Sequence, residues 1–324
     1  MMKNYFRLFI DYLFLMRLFL LVPVWTVFLF GYYYGALFSG NNISPFFNKE
    51  FFFNIIFFSL AVSSYYIFNQ LNDIETDKLN KKLFLISENV VPKSHAIILS
   101  ILLFSISNLY ALYMGIFYSR WDIVLVFFMA SFFGVTYNLP PFLWKNKPIL
   151  GLLADSLGHG LVTFLAGWIS ITHISKEAFI YSLPMTFGNA AIFLLTTIVD
   201  EQGDRKAGKI TFVVKYGKDI TIKVSILFML LAFLSIFLMR SDIIEKSCPF
   251  IIGVLGSLLV YLYLLRDDNK KIIFIAFKTS VAFVTISLFF YYKWYLIVVL
   301  FTYLISKIYY KYRFNKNYPS LTGE

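Results

Sequence analysis

Asn69, Asp73 and Asp77 recur at intervals of four residues, and Asp200 and Asp204 repeat that interval further along the chain. On a helix, four residues carry a side chain only about 40° past a full turn, so each set lines one face. Carboxylate and amide oxygens without His or thiolate make a hard-oxygen site. Such a site suits Mg2+, which takes few carboxylates together with waters and substrate phosphates. Six of the 18 acidic residues fall in these two short segments: Asp73, Glu75, Asp77, Asp200, Glu201 and Asp204. Both segments continue the C-terminal end of an apolar run, where the helix dipole disfavours carboxylates. Stability alone would not put acids there. Basic residues follow each cluster: Lys78, Lys81 and Lys82 after the first, Arg205, Lys206 and Lys209 after the second. A metal-bound diphosphate needs cations on its outer oxygens, and an arginine can clamp them bidentately. Positive charge in membrane-flanking loops explains the same residues differently. For Lys81 and Lys82 the two readings stand level, whereas Arg205 lies beside Asp204.

The elements that must hold these residues are apolar helices. The chain has 324 residues, of which 59% are apolar, 21% aromatic and only 15% charged, with a mean hydropathy of +0.73. About a quarter of a soluble chain is charged, so an ordinary cytosolic enzyme, a disordered chain and a disulfide scaffold are excluded. Apolar runs near 20 residues read as transmembrane helices rather than the short alternating strands of a barrel. Ten such segments are predicted, near 14–38, 51–70, 96–117, 121–138, 149–171, 178–199, 220–240, 249–265, 272–291 and 294–312. The last two together would form a helix of roughly 60 Å, twice a bilayer core, so a break is predicted near Tyr291–Trp294. Twenty Lys and Arg fall in alternate gaps beginning with the N-terminus, against six in the others. This bias predicts the N-terminus and both acidic segments on the cytoplasmic side of the cell (inner) membrane, and it accounts for the net charge of +11 without nucleic acid. The single cysteine, Cys248, and three scattered histidines form no metal motif.

In these motifs the chain resembles the UbiA superfamily of intramembrane prenyltransferases. The family's first motif is N-D-x-x-D-x-x-x-D, read here from Asn69 to Asp77; its second, D-x-x-G-D-x-x-x-G-x-x-T/S, is read from Asp200 to Thr211. The stretch TYNLPPFLWKNKPILG at 136–151 is similar to the family's Tyr-x-x-x-Pro and Lys segment, placing Tyr137, Pro141 and Lys145. Gln70, Thr197 and Leu143 depart from the pattern, where relatives commonly have Asp, Asp and Arg. The resemblance covers residues 10 to about 265. It implies an all-α, polytopic bundle of nine core spans, with a tenth C-terminal helix here. A single integral-membrane domain would fill 1–324, with the motif-bearing core at 10–265, C-terminal spans at 266–312 and a tail at 313–324. It also implies Mg2+-dependent transfer of a polyprenyl group from its diphosphate to a lipophilic acceptor: an aromatic or quinone precursor, a tetrapyrrole or a lipid alcohol. Asn69, Asp73, Asp77, Asp200 and Asp204 would hold metal, and Lys81, Lys145, Arg205 and Lys209 the diphosphate. Aromatic faces can stabilise an allylic cation, and Tyr65, Tyr66 and Tyr137 are candidates. The implied partners are membrane lipid and these two substrates, with no obligate protein partner.

Asp155 and His159 stand i, i+4 inside the fifth span. Ionisable residues within a span face a cavity or a partner. The pair is either an acceptor-side base with its orienting group or a structural hydrogen bond. Arg17 reads as a snorkelling residue and Asn189 as an interhelical hydrogen bond. Two readings besides a transferase remain. A terpene cyclase of the same superfamily would need no acceptor. A transporter would place its charges near the midplane, whereas these acids sit at span ends. The D-G-x-x-A-R run of the CDP-alcohol phosphatidyltransferases is absent.

Overall fold

Inside a hydrocarbon layer every backbone N–H and C=O must be satisfied within its own segment or a closed barrel, so apolar runs of this length fold as helices. The computed structural model describes residues 2–40, 48–79 and 84–319, and none of these is in a strand. The helices run in order α1 Met2–Leu15, α2 Leu18–Phe38, α3 Lys49–Asn72, α4 Ile74–Leu79, α5 Phe84–Ser87, α6 Lys93–Tyr118, α7 Trp121–Asn138, α8 Pro148–Asp155, α9 Thr163–Trp168, α10 Lys176–Lys206, α11 Phe212–Tyr216, α12 Lys218–Ser235, α13 Ser241–Glu245, α14 Cys248–Tyr263, α15 Lys270–Phe289 and α16 Tyr295–Phe314. A π-helical segment, Ser156–Val162, joins α8 to α9 into one element. Among the described residues eight helices are long and apolar enough to cross a membrane: α2, α3, α6, α7, the α8–α9 element, α10, α12 with its short extension to Leu238, and α15. The 16-residue α14 is apolar but shorter. The break between α15 and α16 falls where the aromatic and lysine cluster predicted it.

The first apolar run differs from expectation. It is two helices, because Arg17 adopts a left-handed conformation with φ 57° and ψ 53°. Residues 2–15 therefore form α1, which pairs with the last helix. Asp11 accepts hydrogen bonds from Tyr309 Oη at 2.5 Å and Arg313 Nε at 3.2 Å, and Phe14 stacks on Tyr309 with ring centres 3.7 Å apart.

Helix α2 runs through the middle of the bundle and crosses α9 at backbone contact. A Cβ on Gly31 would lie 1.9 Å from the Phe164 carbonyl oxygen, and one on Gly167 would lie 1.8 Å from that of Phe28. Only glycine permits this approach, the usual device for packing helices where lipid gives no hydrophobic drive between them. At the end of the bundle away from the acidic motifs, Arg120 pairs with Glu50 and Asp122 and donates to the Ile169 carbonyl at 2.6 Å. Asp122 also meets His173 Nδ1 at 3.0 Å. These contacts tie α3, α7 and the end of α9 together.

Substituting Gly31 or Gly167 by alanine should force α2 and α9 apart, at about 1–3 kcal/mol of overpacking. Thermal unfolding in detergent should show each variant several degrees below wild type. Gly188→Ala, whose added methyl would meet only Ala232 Cβ at 4.0 Å, should melt with the wild type. A Gly167→Ala variant as stable as Gly188→Ala would refute this account of the crossing.

Candidate active site

Helix α3 ends at Asn72, with Asp73 as its capping residue at φ −110° and ψ 14°. The hydrogen-bond ladder still continues across the bend, since Asp73 N–H donates to Asn69 O at 3.0 Å and Asp77 N–H to Asp73 O at 2.7 Å. The i, i+4, i+8 spacing of Asn69, Asp73 and Asp77 therefore survives into α4. Asp73 and Asp77 are both buried. The Asn69 amide donates to Asp73 Oδ2 at 3.0 Å.

The second acidic segment forms about the last two turns of α10. Asp200 and Asp204 thus stand on a helix, and Asp204 is buried. The chain reverses just beyond. Gly208 has φ +71°, its N–H bonds to Arg205 O at 3.2 Å, and the Lys209 N–H bonds to Asp204 O at 2.9 Å. This pair of bonds around a left-handed glycine closes a helix end in the Schellman pattern. The reversal returns Lys209 to the bundle, where its Nζ lies 2.6 Å from Asp73 Oδ1.

Lys145, in the short turn between α7 and α8, brings a second ammonium group to the same oxygen at 2.8 Å. Its approach makes an ion pair but not a well-aligned hydrogen bond. Burial opposes charge on Asp73, yet the two ammonium groups outweigh it and hold the carboxyl below the usual carboxylate range. Burial also holds Lys145 below the usual lysine range, and attraction to Asp73 offsets this only in part. The fields of Asp155, Asp73, Asp204 and Asp200 converge on Tyr137 at the end of α7. The first and second motifs and the Tyr-and-Lys stretch therefore meet at one end of the bundle.

Arg205 does not join them. It pairs with Glu201 at 2.8 Å on the exposed face of α10. One residue along a helix turns a side chain about 100°, so adjacency to the inward-facing Asp204 points Arg205 away. Lys81 and Lys82 lie outside the described residues. Tyr65 is packed in the core, bonded to Ser131 Oγ at 3.1 Å, with no direct place among the acids. Two of the three departures from the family pattern are also accounted for locally. Thr197 donates to its own helix at Leu194 O, 2.7 Å away, and Gln70 donates to Leu15 O at 2.9 Å, at the end of α1.

Next to the acidic ends lies a second group. Asp155 Oδ1 is 3.3 Å from His159 Nδ1. The Asn189 amide of α10 donates to Asp155 Oδ2 at 2.9 Å and to its carbonyl at 3.1 Å, an interhelical role as expected. His159 sits in the π-helical segment, a widened turn that recurs at functional sites. Its Nε2 lies 3.3 Å from Tyr66 Oη, and the two rings are nearly parallel. Arg17 completes the group in place of snorkelling. Its guanidinium lies over the Tyr66 ring, 5.7 Å from the centroid, with Nη2 3.5 Å from Asn69 Oδ1. Its one sequence signal was a charge inside an apolar run.

A family model described as the UbiA prenyltransferase family matches residues 24–286. The chain is 27% identical over 162 residues to homogentisate phytyltransferase 1, chloroplastic, of Arabidopsis thaliana, covering 46% of this chain and 40% of that protein. It is 33% identical over 102 residues to 2-acylphloroglucinol 4-prenyltransferase of Humulus lupulus, covering 29% of this chain and 24% of that one. The matches thus span less than half the length of these curated relatives. Among solved structures, a UbiA homolog from Archaeoglobus fulgidus bound to DMAPP and Mg2+ shares the fold, with TM-score 0.62 and 20% identity over 86% of this chain and 98% of that one. The same homolog bound to GPP and Mg2+ matches equally. The family model spans both acidic helix ends, the lysine that bridges them and the turn that carries Lys145, and the chain belongs to the UbiA prenyltransferase family.

Proposed function

We propose that the protein transfers a prenyl group from a prenyl diphosphate to a lipophilic acceptor within the membrane, releasing diphosphate. The observation that carries this reading is the meeting of the two acidic helix ends at one end of the bundle, bridged by Lys209 on Asp73. Asp73, Asp77, Asp200 and Asp204 would hold Mg2+. The donor set fits by chemistry, being carboxylate oxygen throughout. Among the described residues no three His, Cys, Asp or Glu are gathered around a single point, so substrate phosphate oxygens and waters would complete the coordination of each ion. Bound there, Mg2+ supplies positive charge that makes diphosphate a better leaving group.

The remaining work falls to the chain's own side chains. Lys145 and Lys209 share one oxygen of Asp73, and with Mg2+ neutralising the acids both ammonium groups would suit the outer oxygens of a diphosphate. The Tyr137 ring, set among the acids, offers an aromatic face to an allylic cation. Buried, water-poor walls keep that cation from hydrolysis. The relatives named for homogentisate and 2-acylphloroglucinol act on phenols, which favours a phenolic acceptor over a tetrapyrrole or a lipid alcohol. His159, oriented by Asp155, would take the acceptor's proton as the new bond forms. The twenty-to-six split of basic residues supports a cytoplasmic N-terminus and cytoplasmic acidic ends.

Purified protein incubated with geranyl diphosphate and Mg2+ should release pyrophosphate and, with a phenolic acceptor, give a prenylated product. Asp204→Asn should lower release by about a hundredfold or more, since the charge acts directly on the leaving group. Asp204 is the better test than Asp73, whose loss would also leave two lysines without their partner. Release without need of Mg2+, or near-wild-type turnover in Asp204→Asn, would refute the two-ended site. A hydrocarbon formed without acceptor would indicate the cyclase.

The acceptor-side role predicts a split. His159→Ala should lower prenylated product by at least tenfold while acceptor-independent pyrophosphate release stays within about twofold, the usual weight of a general base being larger than that. Asp155→Asn should act in the same direction more mildly. Equal loss of both signals would leave the pair a structural one. For orientation, cysteine placed at the exposed Lys206 in a Cys248→Ser background should resist impermeant thiol reagents added outside intact cells and react once the cells are opened, and external labelling would reverse the topology.

A further inference from the structure

Three helices without an acidic motif, α2, α15 and α16, bring two lysines to one level of the bundle. Helix α15 runs parallel to α2. Thr26 Oγ1 and Thr285 Oγ1 lie 3.2 Å apart, and seven residues further along each helix the rings of Tyr33 and Tyr292 are 6.4 Å apart. Seven residues turn a helix by about 700°, close to two full turns. Seven residues before the threonines, Phe19 of α2 and Lys278 of α15 therefore stand level, on the stripes by which the two helices face each other. Helix α16 returns along α2 in the opposite sense. Tyr295 Oη donates to Val22 O at 2.7 Å, and the Tyr303 ring lies 6.1 Å from that of Phe19. Phe19 is thus flanked by α15 at Lys278 and by α16 at Tyr303. One turn beyond Tyr303, Lys307 holds its Nζ 5.7 Å from the centre of that ring. Lys278 Nζ stands 3.9 Å from the centre of Phe274.

This level is a membrane boundary. Helix α2 has 21 residues, the length of a bilayer core, and it begins one residue before Phe19, so hydrocarbon gives way to headgroups there. Aromatic rings and lysine ammonium groups are both suited to that depth. The local charge has one sign: from Asn269 to Gly323 the chain has no Asp or Glu. Lys307 is exposed, and so are the apolar side chains of Phe301, Leu304 and Ile308 beside it on α16. A water-borne anion would find no apolar partner for those side chains. A phospholipid brings its phosphate to the lysines and its chains to the apolar face. A zwitterionic headgroup also brings a cation, which would meet no carboxylate from this segment.

We propose that Lys278 and Lys307, across Phe19 and Tyr303, bind the phosphate of an anionic phospholipid from the surrounding leaflet. The site stands apart from the transferase reading, since it requires no turnover.

The test is lipid binding to the full-length protein in detergent. Dioleoylphosphatidylglycerol is set against dioleoylphosphatidylcholine, with bound lipid counted by native mass spectrometry and affinity read from lipid-induced shifts in melting temperature. Wild type should bind the anionic lipid at least tenfold more tightly. Lys278→Gln with Lys307→Gln should weaken the anionic lipid by about tenfold or more, a lysine at a membrane surface being worth about fivefold. The choline lipid should bind that double variant within about twofold of wild type. Lys49→Gln with Lys176→Gln removes the same charge from exposed lysines at the far end of the bundle, and should leave both affinities within about twofold. No preference for the anionic lipid in the wild type overturns the proposal. So does an equal loss in the two double variants, which would make the preference one of net charge alone. Displacement of the lipid by inorganic pyrophosphate, with pyrophosphate binding lost in the Lys278 and Lys307 variant, would assign the lysines to a water-borne anion and overturn it too. If that double variant does not fold, Lys307→Gln alone, on an exposed side chain, should weaken the anionic lipid about fivefold, and an unchanged affinity there overturns the proposal.

Discussion

One carboxylate oxygen joins the parts of this site. Asp73 Oδ1 receives Lys145 at 2.8 Å and Lys209 at 2.6 Å, so the end of α3, the α7–α8 turn and the chain beyond α10 converge on a single atom. All three side chains are largely removed from water, where unpaired ions cost several kcal/mol each. Each segment is therefore held in place by the charge of the others. The arrangement also answers the helix dipoles. Asp73 and Asp204 sit at C-terminal helix ends that disfavour them, and the ammonium groups near those ends are the favourable partners.

The bundle separates its charges by location. At the far end, Arg120, Glu50, Asp122 and His173 form a closed set in which the guanidinium meets two carboxylates and a carbonyl. Such a knot is satisfied internally and asks for no ligand. At the site end the balance is open: two lysines share one oxygen of Asp73, and among the described residues no carboxylate pairs with Arg17. Within the spans the polar atoms of Asp155 and His159 are answered by Asn189 and Tyr66. The contrast follows from physics. An element that only holds helices together can neutralise itself, whereas one that binds metal and diphosphate leaves charges for its ligands to answer.

What could be read in the sequence was what depends on neighbours along the chain. Apolar run length gave the helices, and the four-residue period placed Asn69, Asp73 and Asp77 on one line even across the bend at Asp73. Gly208 marked the reversal after the second motif, because its φ of +71° is one that side chains resist. The destination of the reversal, Lys209 on Asp73, depends on a partner 136 residues away and could not be read from neighbours along the chain. Adjacency in sequence does not give adjacency in space: one helical step turns a side chain about 100°, and Arg205, next to Asp204, pairs with Glu201 instead. The break at Arg17 had no Gly or Pro to announce it. A non-glycine residue is held in the left-handed region by its surroundings, here Asn69, Tyr66 and a helix pair fixed by Asp11, Tyr309 and Arg313.

That break ties together features that look separate in the sequence. The family pattern has an acid after Asn69, and this chain has Gln70. Its amide nitrogen donates to the Leu15 carbonyl at 2.9 Å and to Tyr66 O at 3.1 Å. An aspartate there could only accept hydrogen bonds, and its charge would face two carbonyl oxygens. Helix α1 ends at Leu15, so a donor at position 70 satisfies a carbonyl that the break leaves without an intrahelical partner. Gln70, where this chain departs from the family motif, and the end of α1 thus belong to one structural feature. Its consequence is the placement of Arg17, two residues beyond Leu15, against Asn69 of that same motif.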